Sequence, residues 1–230
     1  MNYNEEQYVY HYTSPEGAFS ILENKTIRFT ATEYLNDKCE YDPHHNGKRS
    51  YVFSTSNNPD NLALWNYYVK NDAYRGYNLG IKVEDFVELL QSAITQENES
   101  RSSIDTISLE FRNITYDSTQ MEQNIFTKSE EFRCEEEYRF VIEVPINHIL
   151  PKEYIEKRFF IQGYRVGASG IITPYLEWKF TLDDKKRLFT KITLAPMIEK
   201  KLAMASFKRY LHKDVYQNID IVPSKIKLRF

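Results

Sequence analysis

Glycine and cysteine are scarce, with seven of the first and two of the second in 230 residues. No GxGxxG or P-loop pattern occurs, so the usual glycine-rich phosphate cradles are absent; HExxH and GxSxG are missing too. Cys39 and Cys134 have no metal-motif spacing and are expected to be free thiols, without a disulfide framework. No apolar run approaches the ~20 residues that span a bilayer. The opening stretch, MNYNEEQYVY, is polar and acidic and lacks the apolar segment of a signal peptide. A cytoplasmic chain with no membrane partner is the expectation.

Aromatic residues are plentiful, at 15%, with 18 tyrosines, and total hydrophobic content is 41%. That composition belongs to a folded globule and excludes a disordered chain. There is no repeat, low-complexity tract or convincing domain boundary, Asn98 to Ser103 being a short polar linker, so residues 1–230 read as one domain. Charge is unevenly spread. From Lys185 onward there are 12 Lys/Arg against 3 acids, a balance of +9; the preceding 184 residues hold 18 against 30, or −12, which returns the net −3. A basic C-terminal region on an acidic body either meets phosphate, as in RNA or DNA, or complements the body.

Tyr8 to Thr13 (YVYHYT) alternates and is rich in β-formers, so it reads as a strand. Ser14-Pro15-Glu16 opens a helix from Pro15 to Glu23: Ser14 caps it, Pro15 suits the first helical position and Glu16 favours the dipole. Ala18, Phe19, Ile21 and Leu22 are expected to face inward. Asn24-Lys25 turns the chain into a strand over Thr26 to Thr30. A polar loop follows, with a turn at Asn36-Asp37 and an exposed His44-His45 pair. Ser50 to Ser54 reads as a strand. A helix from about Asn61 to Val69 presents Leu62, Trp65 and Tyr68 to the core. Tyr74 to Val83 is a strand in which Gly76 and Gly80 permit close backbone approach. Glu84 to Gln96 is an amphipathic helix, and Ile104 to Tyr116 carries strands. Gly163, Gly167 and Gly170 read as turns around Ile171-Ile172, and Asp183-Asp184 as a hairpin turn. Thr190 to Ala195 is a strand, and Met197 to Leu211 a helix with Leu202 among its apolar contacts. Ile219 to Val222 and Ile226 to Phe230 close the chain as strands. The sum is α+β, many strands with a few helices on their flanks.

The organising stretch is Lys128 to Val144, KSEEFRCEEEYRFVIEV. Alternation puts Glu135, Glu137, Arg139 and Val141 on one face of a strand, and Phe140, Ile142 and Val144 on the other, in the core. Charge at the end of a buried strand is costly unless it is paired or used. The plain reading is a solvated acidic cluster with Arg139 as counter-ion. The functional reading adds two earlier segments in a fixed order: His11-Tyr12-Thr13 at the end of the first strand and Ser54-Thr55-Ser56 at the end of another. His11 taken alone reads as a satisfied core histidine.

Almost the whole chain resembles the bacterial domain-of-unknown-function 2971 family. The segments that carry the resemblance are YHYTSPEGAFSILENKTIRFT followed by LNDKCE, then FSTSNNPDNLALWNYYVKNDAYRGYNLGI, KSEEFRCEEEYRFVI, and the ending KITLAP…IDIVPSKIKLRF. Leu35 stands where that family usually has an aromatic, and His11 where it often has a basic residue. The family is in turn similar to the ADP-ribosyltransferase superfold. The resemblance implies a single α+β domain of split, mixed β-sheets flanked by helices. It implies NAD as substrate and no metal. His11 would bond a ribose hydroxyl. Ser54 and Ser56, or Tyr34 or Tyr12, would wall the nicotinamide pocket, with Thr13 or Ser54 in support. Arg139 or Lys128 would meet the pyrophosphate or lock the glutamates.

The residue types suit that chemistry. Cleaving the nicotinamide–ribose bond passes through an oxocarbenium-like state, as glycoside cleavage does. A carboxylate at the ribose, Glu137, stabilises the cation, and Glu135 orients or deprotonates the acceptor. Two carboxylates so close are expected to raise one pKa, as a base requires. Three classes therefore compete. The first is an NAD-dependent ADP-ribosyltransferase, a bacterial toxin or antiviral defence effector acting on nucleic acid or protein and held by an antitoxin partner, with NAD hydrolysis as another outcome of the same site. The second is a non-catalytic module that binds a nucleotide or a partner on the same fold. The third is a metal-dependent nuclease built on Glu135, Glu137 and Asp37.

Overall fold

Twelve strands and four helices follow one another in the described part of the chain. The strands are β1 (Tyr8–Thr13), β2 (Thr26–Ala31), β3 (Lys48–Ser56), β4 (Tyr77–Lys82), β5 (Ser108–Asn113), β6 (Thr115–Tyr116), β7 (Thr127–Lys128), β8 (Glu137–Pro145), β9 (Phe160–Val166), β10 (Ile172–Lys179), β11 (Phe189–Leu194) and β12 (Asp220–Pro223). The helices are α1 (Pro15–Asn24), α2 (Leu62–Tyr68), α3 (Val83–Glu99) and α4 (Lys200–Leu211). The computed structural model describes residues 7–35, 47–69, 74–99, 106–117, 124–147, 150–152, 158–166, 170–181, 188–211 and 219–228. The turn at Asn36-Asp37, Cys39, Gly167, the His44-His45 pair and the Asp183-Asp184 hairpin lie outside the described residues. The fold class is α+β.

The chain divides into two compact units. The first holds Met1–Lys25, Thr55–Glu88 and Thr181–Phe230; the second holds Thr26–Ser54 and Leu89–Phe180. The division falls inside β3 and inside α3. In the first unit the strand order is β12-β11-β4-β1, a mixed sheet in which β12 runs parallel to β11 and the other pairs are antiparallel. Register puts His11 opposite Leu79, and Leu79 opposite Ile192. Tyr12, Leu64, Trp65, Val69 and Ala195 form its core cluster. α1 begins as its residues dictate: the Ser14 hydroxyl accepts from Gly17 N at 3.1 Å and Pro15 takes the first position. Lys25, in the left-handed region at φ 55°, ends it. Gly76 and Gly80 do allow close approach. A Cβ on Gly76 would stand 2.6 Å from the Thr13 carbonyl oxygen, and one on Gly80 3.1 Å from Lys191 Cβ.

In the second unit β3, β2, β10 and β9 are neighbours in that order and antiparallel, and β8 pairs with β3 and with β5. The short strands β6 and β7 pair in parallel, with Tyr116 opposite Lys128. Phe29, Phe53 and Phe140 pack in sequence across it, with ring centroids 5.6 and 6.3 Å apart.

Several expectations are corrected. Phe19, Leu62 and Leu202 are exposed, not inward: Phe19 meets the Tyr210 ring on the surface, and α2 buries Leu64 and Trp65 but not Leu62. The final helix starts at Lys200, three residues after Met197, because the backbone from Ala195 to Ile198 is committed to a turn. Ile226 to Leu228 form no strand. The stretch read as turns around Ile171-Ile172 is largely the β9–β10 pair. Gly163 lies inside β9, where its missing side chain leaves room for the Tyr175 ring.

Candidate functional site

Glu137 opens β8 in the second unit, and the elements around it exist to hold its carboxylate. The parallel pairing of β6 with β7 sets Tyr116 beside Lys128. Ile114 N then bonds Glu137 O at 3.0 Å, and Glu137 N donates to the Tyr116 hydroxyl at 2.7 Å. From β7 the chain enters a 3-10 turn, Glu130–Glu135, and reverses at Glu136, which sits in the left-handed region at φ 46°. Glu135 is therefore not on the β8 face with Glu137, Arg139 and Val141, contrary to the alternation reading. The reversal at Glu136 brings it back to the same cation instead.

The result is a buried quartet. Lys128 Nζ donates to Glu135 Oε2 at 2.7 Å and to Glu137 Oε2 at 3.2 Å. Arg139 grips Glu137 with both arms, Nε to Oε1 at 2.8 Å and Nη2 to Oε2 at 2.9 Å, while its Nη1 donates to the Ile125 carbonyl. Ser54, in β3, adds a side-chain hydrogen bond to Glu137. Relative exposures are 4% for Glu137, 5% for Glu135, 1% for Arg139 and 4% for Lys128. Two cations balance two anions, so the buried cluster is neutral. The ammonium of Lys128 also lies 4.7 Å from the centre of the Phe132 ring, which covers it.

Electrostatics follow from that geometry. Burial pushes the Glu137 carboxyl up, but Arg139 and then Lys128, with hydrogen bonds from Arg139 and Ser54, outweigh it and hold the group below the ordinary carboxylate range. Of the two carboxylates, Glu137 is the one whose countercharges outweigh both burial and its neighbour, as its expected role at a developing cation requires. Tyr116 goes the other way, pushed up to about 12 mainly by burial. Glu137 is an anion across the neutral range. That state suits stabilisation of a developing cation and does not suit a proton acceptor near neutrality.

Of the expected site residues, the structure gathers Ser54, Glu135, Glu137 and Arg139, with Lys128 as the lock. Tyr34 belongs to the same unit and is exposed, in a 3-10 turn at Thr32–Tyr34. His11, Tyr12, Thr13 and Ser56 belong to the first unit. There, Tyr12 does not offer a stacking face. It is buried with its ring edge-on to Trp65, centroids 4.6 Å apart, and its hydroxyl donates to Asn58 O and accepts from Asn61 N. Ser56 is buried and its hydroxyl accepts from Asn58 N at 3.0 Å, so it shapes the loop before α2. His11 is half-buried on β1 and Thr13 lies against Gly17 at the start of α1. Tyr116 and the Ile125 carbonyl were not legible beforehand: nothing in ITYD or NIF marks a contact made by a two-residue parallel strand pair. Among the described residues no group of three or more His, Cys, Asp or Glu side chains is placed to hold a metal ion. Asp37, the third ligand of the nuclease reading, lies outside them. No helix of the described residues is long and apolar enough to cross a membrane.

No family model, curated protein or solved structure matches the chain.

Proposed function

We propose that the chain is an NAD-dependent ADP-ribosyltransferase, working in the bacterial cytoplasm as a toxin or antiphage effector on a macromolecular acceptor, nucleic acid ahead of protein. The observation that supports this reading is the Ser54–Glu137 hydrogen bond. It joins the Ser-Thr-Ser segment to the second glutamate of Glu135-x-Glu137, the two elements the resemblance assigns to one nicotinamide–ribose pocket. The reaction breaks the bond between ribose C1′ and the nicotinamide nitrogen, and the electron pair leaves with nicotinamide. Glu137, held anionic, faces the positive charge that develops on the ribose. A lone pair of the acceptor closes on C1′, and the acceptor's proton passes to Glu135.

That sequence requires Glu137 to change partners. Its carboxylate now takes two donors from Arg139, one from Lys128 and one from Ser54, filling the roughly four lone-pair positions a carboxylate has. A ribose hydroxyl enters when Lys128 shifts wholly to Glu135. The same saturation favours the second reading, a non-catalytic nucleotide- or partner-binding module in which the quartet only holds the fold.

Nicotinamide release from labelled NAD separates them, with wild type and Glu137→Gln assayed alongside RNA, DNA and cell lysate. The expected outcome is release by the wild type, at least about a hundredfold slower in Glu137→Gln, with label passing to one macromolecular fraction. Release without transfer of label identifies an NAD hydrolase. Undiminished release by a folded Glu137→Gln removes Glu137 from the mechanism. No release from protein that still binds NAD establishes the module.

A further inference from the structure

The face of the second unit's sheet that carries Ser54 also carries a pair of arginines. Pairing puts Thr30 opposite Val52, two residues before Ser54 and therefore on its face, then Tyr175 opposite Thr30 and Gly163 opposite Tyr175. One step along, Arg28 stands opposite Glu177, and on the other side Thr173 stands opposite Arg165. Arg165 reaches from the outer strand β9 across β10 to β2, where its Nη2 donates to the Thr30 hydroxyl at 2.8 Å. That neutral oxygen is the one acceptor it meets among the described residues. Arg28 is 2.5 Å from Glu177 and 4.7 Å from the centre of the Tyr175 ring. The ring in turn fills the space over Gly163, where a Cβ would meet it at 2.4 Å.

Arg28 thus has a carboxylate partner in Glu177, whereas Arg165, which feels the charge of Arg28, has no countercharge among the described residues. Desolvation, and then the charge of Arg28, lower the Arg165 pKa from its ordinary value. An unrelieved pair of this kind is stabilised by an anion with several acceptor oxygens, which the planar fork of arginine matches. Arg28 lies over the Tyr175 ring, and the ring lies against Gly163, so the ring helps to position the arginine. The quartet consumes Lys128 and Arg139, so a phosphate on this face has to look elsewhere for its cations.

We propose that Arg165 and Arg28, with the Thr30 hydroxyl, form a binding site for the phosphate-ester group of a ligand. The site does not depend on NAD chemistry. It serves either the phosphates of a small nucleotide or the backbone of a single-stranded polynucleotide, and the test distinguishes the two.

The full chain is titrated with inorganic pyrophosphate and, separately, with a single-stranded oligonucleotide at several salt concentrations, without NAD. Variants are Arg165→Gln, Arg165→Lys and Gly163→Ala, with Lys201→Gln/Lys208→Gln on α4 as the control for the basic C-terminal region. Binding is expected to weaken about tenfold or more in Arg165→Gln, less in Arg165→Lys, and to weaken in Gly163→Ala, whose methyl displaces Tyr175. The α4 double variant binds as the wild type does. Pyrophosphate binding that depends on Arg165 assigns the site to a small ligand. Oligonucleotide binding alone, with a salt slope reduced by about one in Arg165→Gln, assigns it to a polynucleotide. No anion binding by the wild type, or equal binding by folded Arg165→Gln, overturns the site. So does loss confined to the α4 variant. Because NAD is absent, this test can fail while nicotinamide release succeeds, and the reverse.

Discussion

Arg139 is the residue on which the quartet turns. It supplies two of the hydrogen bonds to Glu137 and is 1% exposed. Removing it leaves an anion buried beside a single ammonium that is shared with Glu135. Arg139→Met should therefore destabilise the protein by roughly 3–5 kcal/mol, the cost of breaking a buried pair from one side. Arg139→Met with Glu137→Leu should recover part of that loss, because Lys128 then has Glu135 to itself. Urea unfolding of the three proteins checks both statements, and additive losses would show that the pair is not coupled. The titrating groups set two pH windows. The folded-state pKa of Glu137 lies below its ordinary 4.5, so its stabilisation is present above that value and is lost as pH falls through the lower folded value. Tyr116 is raised from 10.0 to about 12, so its stabilisation is complete below pH 10 and is lost as pH rises through 12. Unfolding midpoints followed against pH should fall less steeply between 10 and 12 in Tyr116→Phe than in the wild type, and less steeply below 4.5 in Glu137→Gln.

Between residue and fold, the elements are spaced by their small side chains. β4 follows a close approach at Gly76, which is buried against the Thr13 carbonyl and, at 2.7 Å from an added Cβ, against Val69 Cγ2. Gly76→Ala should cost about 1–3 kcal/mol through overpacking. Gly47, in the left-handed region at φ 71° but with nothing within reach of a Cβ, should lose only the smaller backbone preference. Thermal unfolding of the two variants ranks them, and equal losses would show that crowding at Gly76 relaxes. Glycine also explains where element reading went astray. The spacing Gly163–Gly167–Gly170 suggests turns, but Gly163 is a residue of β9 cleared for Tyr175 on the neighbouring strand. Glycine marks a turn or a close contact with equal ease, and only the partner strand tells which.

At the scale of the whole molecule, long-range ties gather segments that composition treats as separate. Asp60 accepts from Trp65 Nε1 at 2.9 Å, from the Ser224 hydroxyl at 2.7 Å and from Lys225 N at 2.7 Å. One carboxylate thus fastens the residues after β12 to α2 within the first unit. Asp60→Ala should destabilise that unit by roughly 2–3 kcal/mol. It should also raise amide exchange in β12 more than in β8 of the other unit, as hydrogen exchange with mass analysis would show; uniform loosening would contradict a local tie. The basic C-terminal region, +9 against −12 for the rest, begins ahead of β11 and runs through α4 to the end, so its charge is distributed over several elements and not confined to a tail.

How much was legible depends on the range of the interaction involved. The strand YVYHYT, the capped start at Ser14-Pro15, the approach at Gly76 and the paired face Glu137-x-Arg139 follow from residue type at spacings of one to four, where backbone geometry alone decides. The α+β class follows from their sum. The rest came from contacts between distant segments. Glu135 joins Glu137 through a reversal at Glu136 and a lysine on β7, not through strand alternation. The lowered pKa of Glu137 comes from Arg139 and Lys128 converging on it once the chain is folded. Tyr12 is buried edge-on against Trp65, and Arg165 reaches Thr30 from two strands away. Local pattern determines which side chains a strand presents, because the pleat has a period of two. Which of them carry charge to one point is decided by strand order and register, and those are properties of the folded sheet.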